Sequence, residues 1–256
     1  MATPVQSFTV EKLPVKVYTT GADLAAAAAG EAHACLAGAL AANGSAAVIL
    51  ATGNSQIQFL DELVKLGGID WSRVTLFHMD EYLGIAGDHK ASFRRYMRER
   101  VETKIKPKQF HYLIGDALEP IQECERYAAL LRAQPIDLCC LGVGDNGHLA
   151  FNDPPVANFH DSLLVKIIAL DLVCRQQQVN QGHFPDTENM PHYALTLTIP
   201  ALLSAKKILT LVPGKHKASI IRTALRGPMT TQCPASILRQ QPHATLLLDK
   251  DSAALL

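Results

Sequence analysis

The chain has 256 residues, 48% of them hydrophobic and 19% charged, and its 24 basic and 24 acidic side chains cancel to a formal net charge of zero. That profile excludes a disordered segment and argues against a nucleic-acid or polyanion binder, which needs a basic excess. It leaves room for a small anionic ligand held by a few local cations.

In chain order, residues 15–19 read as a strand and residues 22–42 as an alanine-rich helix ended by Asn43-Gly44. Asp23, Glu31 and His33 interrupt that helix, so it reads as too polar to span a bilayer. The N-terminus lacks the basic start and apolar core of a signal peptide. Residues 46–50 form the next strand, 56–66 a helix closed by Gly67-Gly68, 74–78 a strand and 92–101 a helix. A helix over 121–133 precedes a strand over 136–143. Strand patterns follow at 165–170, 194–199 and 207–212, then a helix over 217–225 and a last strand over 244–248. This alternation predicts an α/β fold, a mostly parallel sheet with helices on both faces, doubly wound and Rossmann-like. No linker or solenoid repeat divides it, so one domain over 1–256 is expected.

Cys35, Cys124, Cys139, Cys140, Cys174 and Cys233 form no C-x-x-C pair. They read as reduced and mostly buried in a cytoplasmic protein, with no structural zinc site expected.

Chemistry concentrates where strands end, and ligands of open α/β sheets sit beyond the carboxyl ends of strands. Thr52-Gly53-Asn54-Ser55 joins strand to helix. It fits an anion site of backbone N–H groups, or an ordinary serine cap. Met79-Asp80-Glu81-Tyr82 sets two carboxylates at a strand end, either loop charges or a general base facing a pocket. The stretch from Leu141 to Pro155 packs Gly142, Gly144, Gly147, Asp145, Asn146, His148 and Asp153 behind an apolar strand. There His148 can shuttle a proton with Asp145 or Asp153 orienting it, and the glycines let backbone approach a ligand. The glycine spacing fits G-x-G-x-x-G, but Asn152-Asp153-Pro154-Pro155 follows instead of a helix, so a dinucleotide site is rejected. Pro213-Gly214-Lys215-His216-Lys217 repeats the strand–turn–helix pattern, with lysines opposing a helix macrodipole unless an anion is near. Arg175 opens the run Arg175-Gln176-Gln177-Gln178, whose direction the local sequence leaves open.

Taken together and in order, these segments resemble the glucosamine-6-phosphate deaminase (isomerase) family, in a superfamily shared with 6-phosphogluconolactonases. The likeness runs from ATGNS through FHMDEYLGI, GVGDNGHLAFNDP and HYALTLTIPALL to VPGKHKA. Leu149-Ala150-Phe151-Asn152-Asp153-Pro154 follows the deaminase pattern rather than the lactonase one. The resemblance implies conversion of glucosamine 6-phosphate to fructose 6-phosphate and ammonia, without metal or organic cofactor. It implies Asp80 as the base working between C2 and C1, His148 as the group assisting ring opening, and Asp153 as its support. Gly53, Asn54, Ser55 and Lys217 then hold the phosphate, with Arg175 as a second cation.

Some family members carry Asn-Asp-Gly-His where this chain has Asp145-Asn146-Gly147-His148. An amide at Asn146 cannot stabilise an imidazolium, so Asp145 or Asp153 takes over, or rate or substrate differs. Two further readings stay open: a sugar-lactone hydrolase using His148 to activate water, and a sugar-phosphate sensor without turnover. The expected partner is a small sugar phosphate, with no nucleic acid and no membrane. A homo-oligomer is expected only because symmetric oligomers are common. Residues 154–160 lack the arginine-bearing stretch that builds the allosteric site of hexameric members. Kinetics should therefore be hyperbolic without an N-acetylated sugar phosphate; a sigmoidal curve abolished by that compound would contradict this.

Overall fold

The computed structural model describes residues 2–180 and 182–256. The first half runs β1 (Gln6–Val10), β2 (Leu13–Tyr18), α1 (Gly21–Asn43), β3 (Ala46–Leu50), α2 (Ile57–Lys65), β4 (Val74–His78), β5 (Asp80–Tyr82), α3 (Phe93–Met97), α4 (Thr103–Ile105) and β6 (Gln109–His111). The second half runs α5 (Pro120–Arg132), β7 (Leu138–Leu141), β8 (Val165–Ala169), α6 (Leu172–Asn180), β9 (Tyr193–Leu197), α7 (Ile199–Leu203), β10 (Lys207–Val212), α8 (Ala218–Arg226) and β11 (Ala244–Asp249).

Eight strands form one sheet in the order β1-β2-β11-β10-β7-β3-β4-β6. Only the β1–β2 pair in it is antiparallel. The central strands are apolar without alternation because both faces are covered. In β3, Ala47 and Ile49 join one core cluster while Ala46, Val48 and Leu50 join the other. Cys139 and Cys140 likewise point to opposite faces. All six cysteines are free.

Thr20 and Asp23 form a reciprocal capping box at the start of α1, and Gly44 closes the helix at φ 74°. Buried Ala25, Ala28, Ala29 and Ala32 line one side of α1; with methyl side chains only, the helix lies close on the sheet. By length and composition alone α1 is apolar enough to cross a membrane, contrary to the sequence reading, yet half of that apolar window is buried inside the protein.

The expected single sheet needs one correction. Segments 165–170 and 194–199 are strands, but β8 and β9 pair antiparallel and leave the parallel sheet. They join β5, which pairs antiparallel with β9, in a second sheet of order β5-β9-β8. β5 is the acidic tripeptide Asp80–Tyr82, one residue beyond β4, and carries no apolar alternation to announce it. β1, β6, α6 and α7 were also silent in the sequence. The helix expected at 92–101 is α3 passing into a π-helical turn at Arg98–Glu102.

Tyr127 on α5 braces the end of β4. Its hydroxyl accepts from the His78 N–H (3.1 Å) and reaches the carbonyls of His78 (2.8 Å) and His111 (3.0 Å). Leu113 N–H donates to His78 Nε2 (2.8 Å), and burial with the Arg94 charge lowers the His78 pKa to about 3. His78 is thus a neutral structural imidazole. Tyr127→Phe should strip buried backbone groups of their partner and cost about 1–3 kcal/mol, measured by urea denaturation; an unchanged midpoint would remove the brace.

Candidate active site

Strand order reverses between β3 and β7: β4 follows β3 on one side, and β10 follows β7 on the other. A crevice at the strands' carboxyl ends is the consequence. The neighbours β10, β7, β3 and β4 each send a candidate segment into it.

Two of these segments are near copies. Gly53 follows β3 at φ 102° and ψ 168°, and Gly214 follows β10 at φ 100° and ψ 146°. Side chains rarely adopt that region, so glycine is required at both. Each glycine leads a short 3-10 turn, Asn54–Gln56 or Lys215–Lys217, and then α2 or α8. The Gly214 N–H donates to both oxygens of buried Asp249 (3.1 and 3.0 Å). Tyr96 Oη donates to the Gly53 carbonyl (3.0 Å). Gln56 Nε2 donates to Ser55 Oγ (3.1 Å), leaving the serine proton free for another acceptor. Lys217 is buried and its Nζ meets Asp145 Oδ1 at 2.5 Å.

The loop after β7 is arranged around His148. Its ring lies so close to Gly144 that a Cβ there would stand 2.1 Å from it. A Cβ on Gly142 would meet Gln56 Nε2 and Ser55 Oγ at 3.4 Å, and one on Gly147, at φ 87°, would meet Cys233 Sγ at 2.9 Å. Gly144 and Gly147 are thus required by the loop's own packing, while Gly142 and Gly144 also line the cavity. His148 Nδ1 lies 2.9 Å from Asp153 Oδ1, which also accepts from Asn146 Nδ2 (2.7 Å). Asn146 Oδ1 in turn accepts from the His148 N–H (3.1 Å). Burial alone would raise the Asp153 pKa, but hydrogen bonds and charge from His148, with the Asn146 amide, outweigh it and hold the carboxyl below its ordinary value. The partner of His148 is therefore Asp153; Asp145 is turned to Lys217.

Asp80 and Glu81 have separate fates. Glu81 is fully buried and accepts from the N–H groups of Tyr82, Phe93 and Arg94 and from Ser92 Oγ. The Arg94 guanidinium stands 3.4 Å away. Glu81 thus fastens the start of α3. Asp80 is 6% exposed, and its Oδ1 has no hydrogen-bond partner. Burial first, then the charges of Glu81 and Asp153, push its pKa well above the ordinary value.

Asp80, His148, Lys217, Asp145, Gly53, Asn54 and Ser55 all line one cavity of about 710 Å³. Asp153 and Asn146 stand behind His148 and do not line it. Arg175 does not belong with the others. It is buried in α6, donates from Nη2 to the Thr187 carbonyl, and is absent from the cavity wall. The same helix and its sequel bring Gln178, Asn180 and His183 to the wall instead. Lys90, Tyr96, Arg100 and His216 also line it. Sequence reasoning did not single these out; only the adjacent lysines gave His216 any prominence.

Gly144→Ala should leave the fold intact but push the His148 ring off its place. A displacement of about 1 Å lowers catalysis on the order of 100-fold, read as kcat/KM beside an unchanged circular dichroism spectrum; wild-type turnover would show that the ring has room.

Residues 19–247 match the protein family described as glucosamine-6-phosphate isomerases/6-phosphogluconolactonase. The chain is 36% identical over 207 residues to the glucosamine-6-phosphate deaminase of Listeria innocua, covering 81% of this chain and 86% of that one. Among solved structures, a monomeric glucosamine-6-phosphate deaminase superposes with a TM-score of 0.86 at 30% identity, over 94% of this chain and 99% of that one. A 6-phosphogluconolactonase from Shewanella baltica superposes with a TM-score of 0.76 over 94% of this chain and 100% of that one; at 22% identity it shares the fold. With 229 of 256 residues inside the family match (247 − 19 + 1), this chain belongs to the glucosamine-6-phosphate isomerase/6-phosphogluconolactonase family.

Proposed function

We propose that this enzyme is a glucosamine-6-phosphate deaminase that isomerises the amino sugar and releases ammonia, leaving fructose 6-phosphate. The observation that carries the reading is the convergence of Asp80, His148 and Lys217 on one cavity wall. The deaminase relatives support it over the lactonases, which stand at lower identity.

Asp153 occupies Nδ1 of His148, so Nε2 is the ring nitrogen left for the sugar. Ring opening takes a proton from the C1 hydroxyl and returns one to the ring oxygen, which an imidazole near neutrality does in either direction. Asp153 steadies the positive charge during that transfer. Asp80 then removes the C2 proton, giving an enolamine, and delivers a proton to C1. The product is an imine at C2, and water hydrolyses it to the ketose and ammonia. A carboxylate with a raised pKa is the stronger base for this transfer.

The phosphate is held away from the reacting carbons by the turn at Gly53, Asn54 and Ser55 and by Lys217, so its binding energy fixes C1 and C2. Lys217 meets Asp145 directly, so the phosphate competes with that carboxylate for the ammonium. Arg175 is not part of this assignment. The reading also places the enzyme in the cytoplasm as one α/β domain; six free cysteines agree with a reducing compartment.

Asp80→Asn should lower ammonia release about 10²–10⁴-fold while inorganic phosphate still binds; unchanged turnover would remove Asp80 as the base. In the wild type, kcat/KM should fall as pH drops through the raised Asp80 pKa, so the acid limb lies above the ordinary carboxylate value of 3.8. An acid limb at or below that value contradicts the assignment. Lactone hydrolysis without ammonia from any amino-sugar phosphate would move the chain to the other branch of its family.

A further inference from the structure

We propose that His148, Asp153 and Cys174 form a binding site for a borderline-soft divalent cation, zinc in class, and that the cation inhibits the enzyme by capturing its histidine–aspartate pair. A ring nitrogen of His148, a carboxylate oxygen of Asp153 and Sγ of Cys174 lie within 4.8 Å of one another. Zinc takes this donor set at roughly 2.0–2.3 Å, with three protein ligands and a fourth open position. Side-chain shifts on the order of 1 Å bring the three atoms onto such a sphere.

Two further observations point to a cation. Asp153 is fully buried, and its Oδ2 has no hydrogen-bond partner. A buried carboxylate oxygen left unpaired is costly unless something positive meets it. Asp80 adds a second buried carboxylate, and its charge acts on both Asp153 and Cys174. This negative corner therefore contains two acids, a thiol and an imidazole. Entry is through the cavity, because His148 lines its wall.

Cys174 sets the chemical class. Magnesium and calcium take oxygen ligands, whereas a thiolate with an imidazole selects zinc or cadmium. Binding displaces the thiol proton to solvent. It also removes the His148 lone pair and the Asp153 charge from sugar ring opening. The inhibition half of the proposal rests on the deaminase reading; the binding half does not.

The full-length enzyme is titrated with cadmium alone while thiolate-to-metal ultraviolet absorption is followed, and separately assayed for ammonia release with added zinc. A one-equivalent absorption band is expected, with inhibition reversed by a chelator. Cys174→Ala should keep its ammonia release, lose the band, and need at least about tenfold more zinc for half-inhibition. A band or an inhibition midpoint unchanged in Cys174→Ala overturns the site. Should that variant not fold, the cadmium titration of Asp153→Asn decides: a weakened band supports the site, an undiminished one overturns it. An enzyme that releases no ammonia from any substrate yet loses its cadmium band in Cys174→Ala retains the metal site and loses the deaminase reading.

Discussion

Hydrogen bonds from one short strand, β9, hold the two halves of the site in register. The Leu197 N–H donates to the Met79 carbonyl at 2.8 Å, directly before Asp80, and Asp80 is paired with Thr196. On the same strand, Thr196 Oγ1 accepts from the Phe151 N–H at 3.1 Å and the Leu197 carbonyl accepts from Asn152 Nδ2 at 2.8 Å. The base segment after β4 and the histidine loop after β7 are therefore tied to the same two residues. Asn152, Thr196 and Leu197 are all fully buried. Every one of these polar groups would be costly unpaired, so they admit one arrangement and keep it.

Around this anchor, three buried carboxyls, Asp80, Glu81 and Asp153, are handled in three ways. Glu81 is consumed by the start of α3 and the Arg94 guanidinium. Asp153 holds the imidazole and the Asn146 amide on one oxygen, Oδ1, and its pKa falls below the ordinary value. Its contribution to stability is present above the unfolded carboxyl pKa and lost as pH falls through the folded one. Asp80 has the opposite sign: its raised pKa favours the fold at low pH, and that contribution disappears as pH rises through the folded value. The surroundings of Asp80 thus disfavour its charged form.

The paired glycine turns show how a parallel sheet repeats one local geometry at neighbouring strand ends. β3 and β10 lie on either side of β7 and end in the same backbone conformation, each feeding a helix. Residues of both turns line one crevice together with the histidine loop. In this arrangement Asp145 neutralises Lys217, so the lysine that opposes its own helix dipole is not left alone in a buried place.

Much of this was legible in the sequence, for identifiable reasons. Fully buried strands announce themselves as short apolar runs, so β3, β4, β7, β10 and β11 were readable. The glycine turns and the histidine loop were readable because their composition departs from that of a surface loop. The sequence was silent on β5, a strand of two acids and a tyrosine, and it marked β8 and β9 as strands without showing that they pair in a second sheet. Strand propensity does not say which partner a strand chooses. Local pattern alone did not separate Asp80 from Glu81 or Asp153 from Asp145, because neighbours of one chemical type differ only in what folds against them; only the family resemblance named Asp80 and Asp153. Arg175 shows the same limit: its charge is in the sequence, but its direction is set by the packing of α6. What the chain determined by itself is the order of apolar runs and turns, which rests on local and periodic chemistry. Which carboxyl is left without a partner, which one is a brace, and which residues meet across the crevice were decided by tertiary packing, including the long-range pairing through β9, a contact that no local pattern encodes.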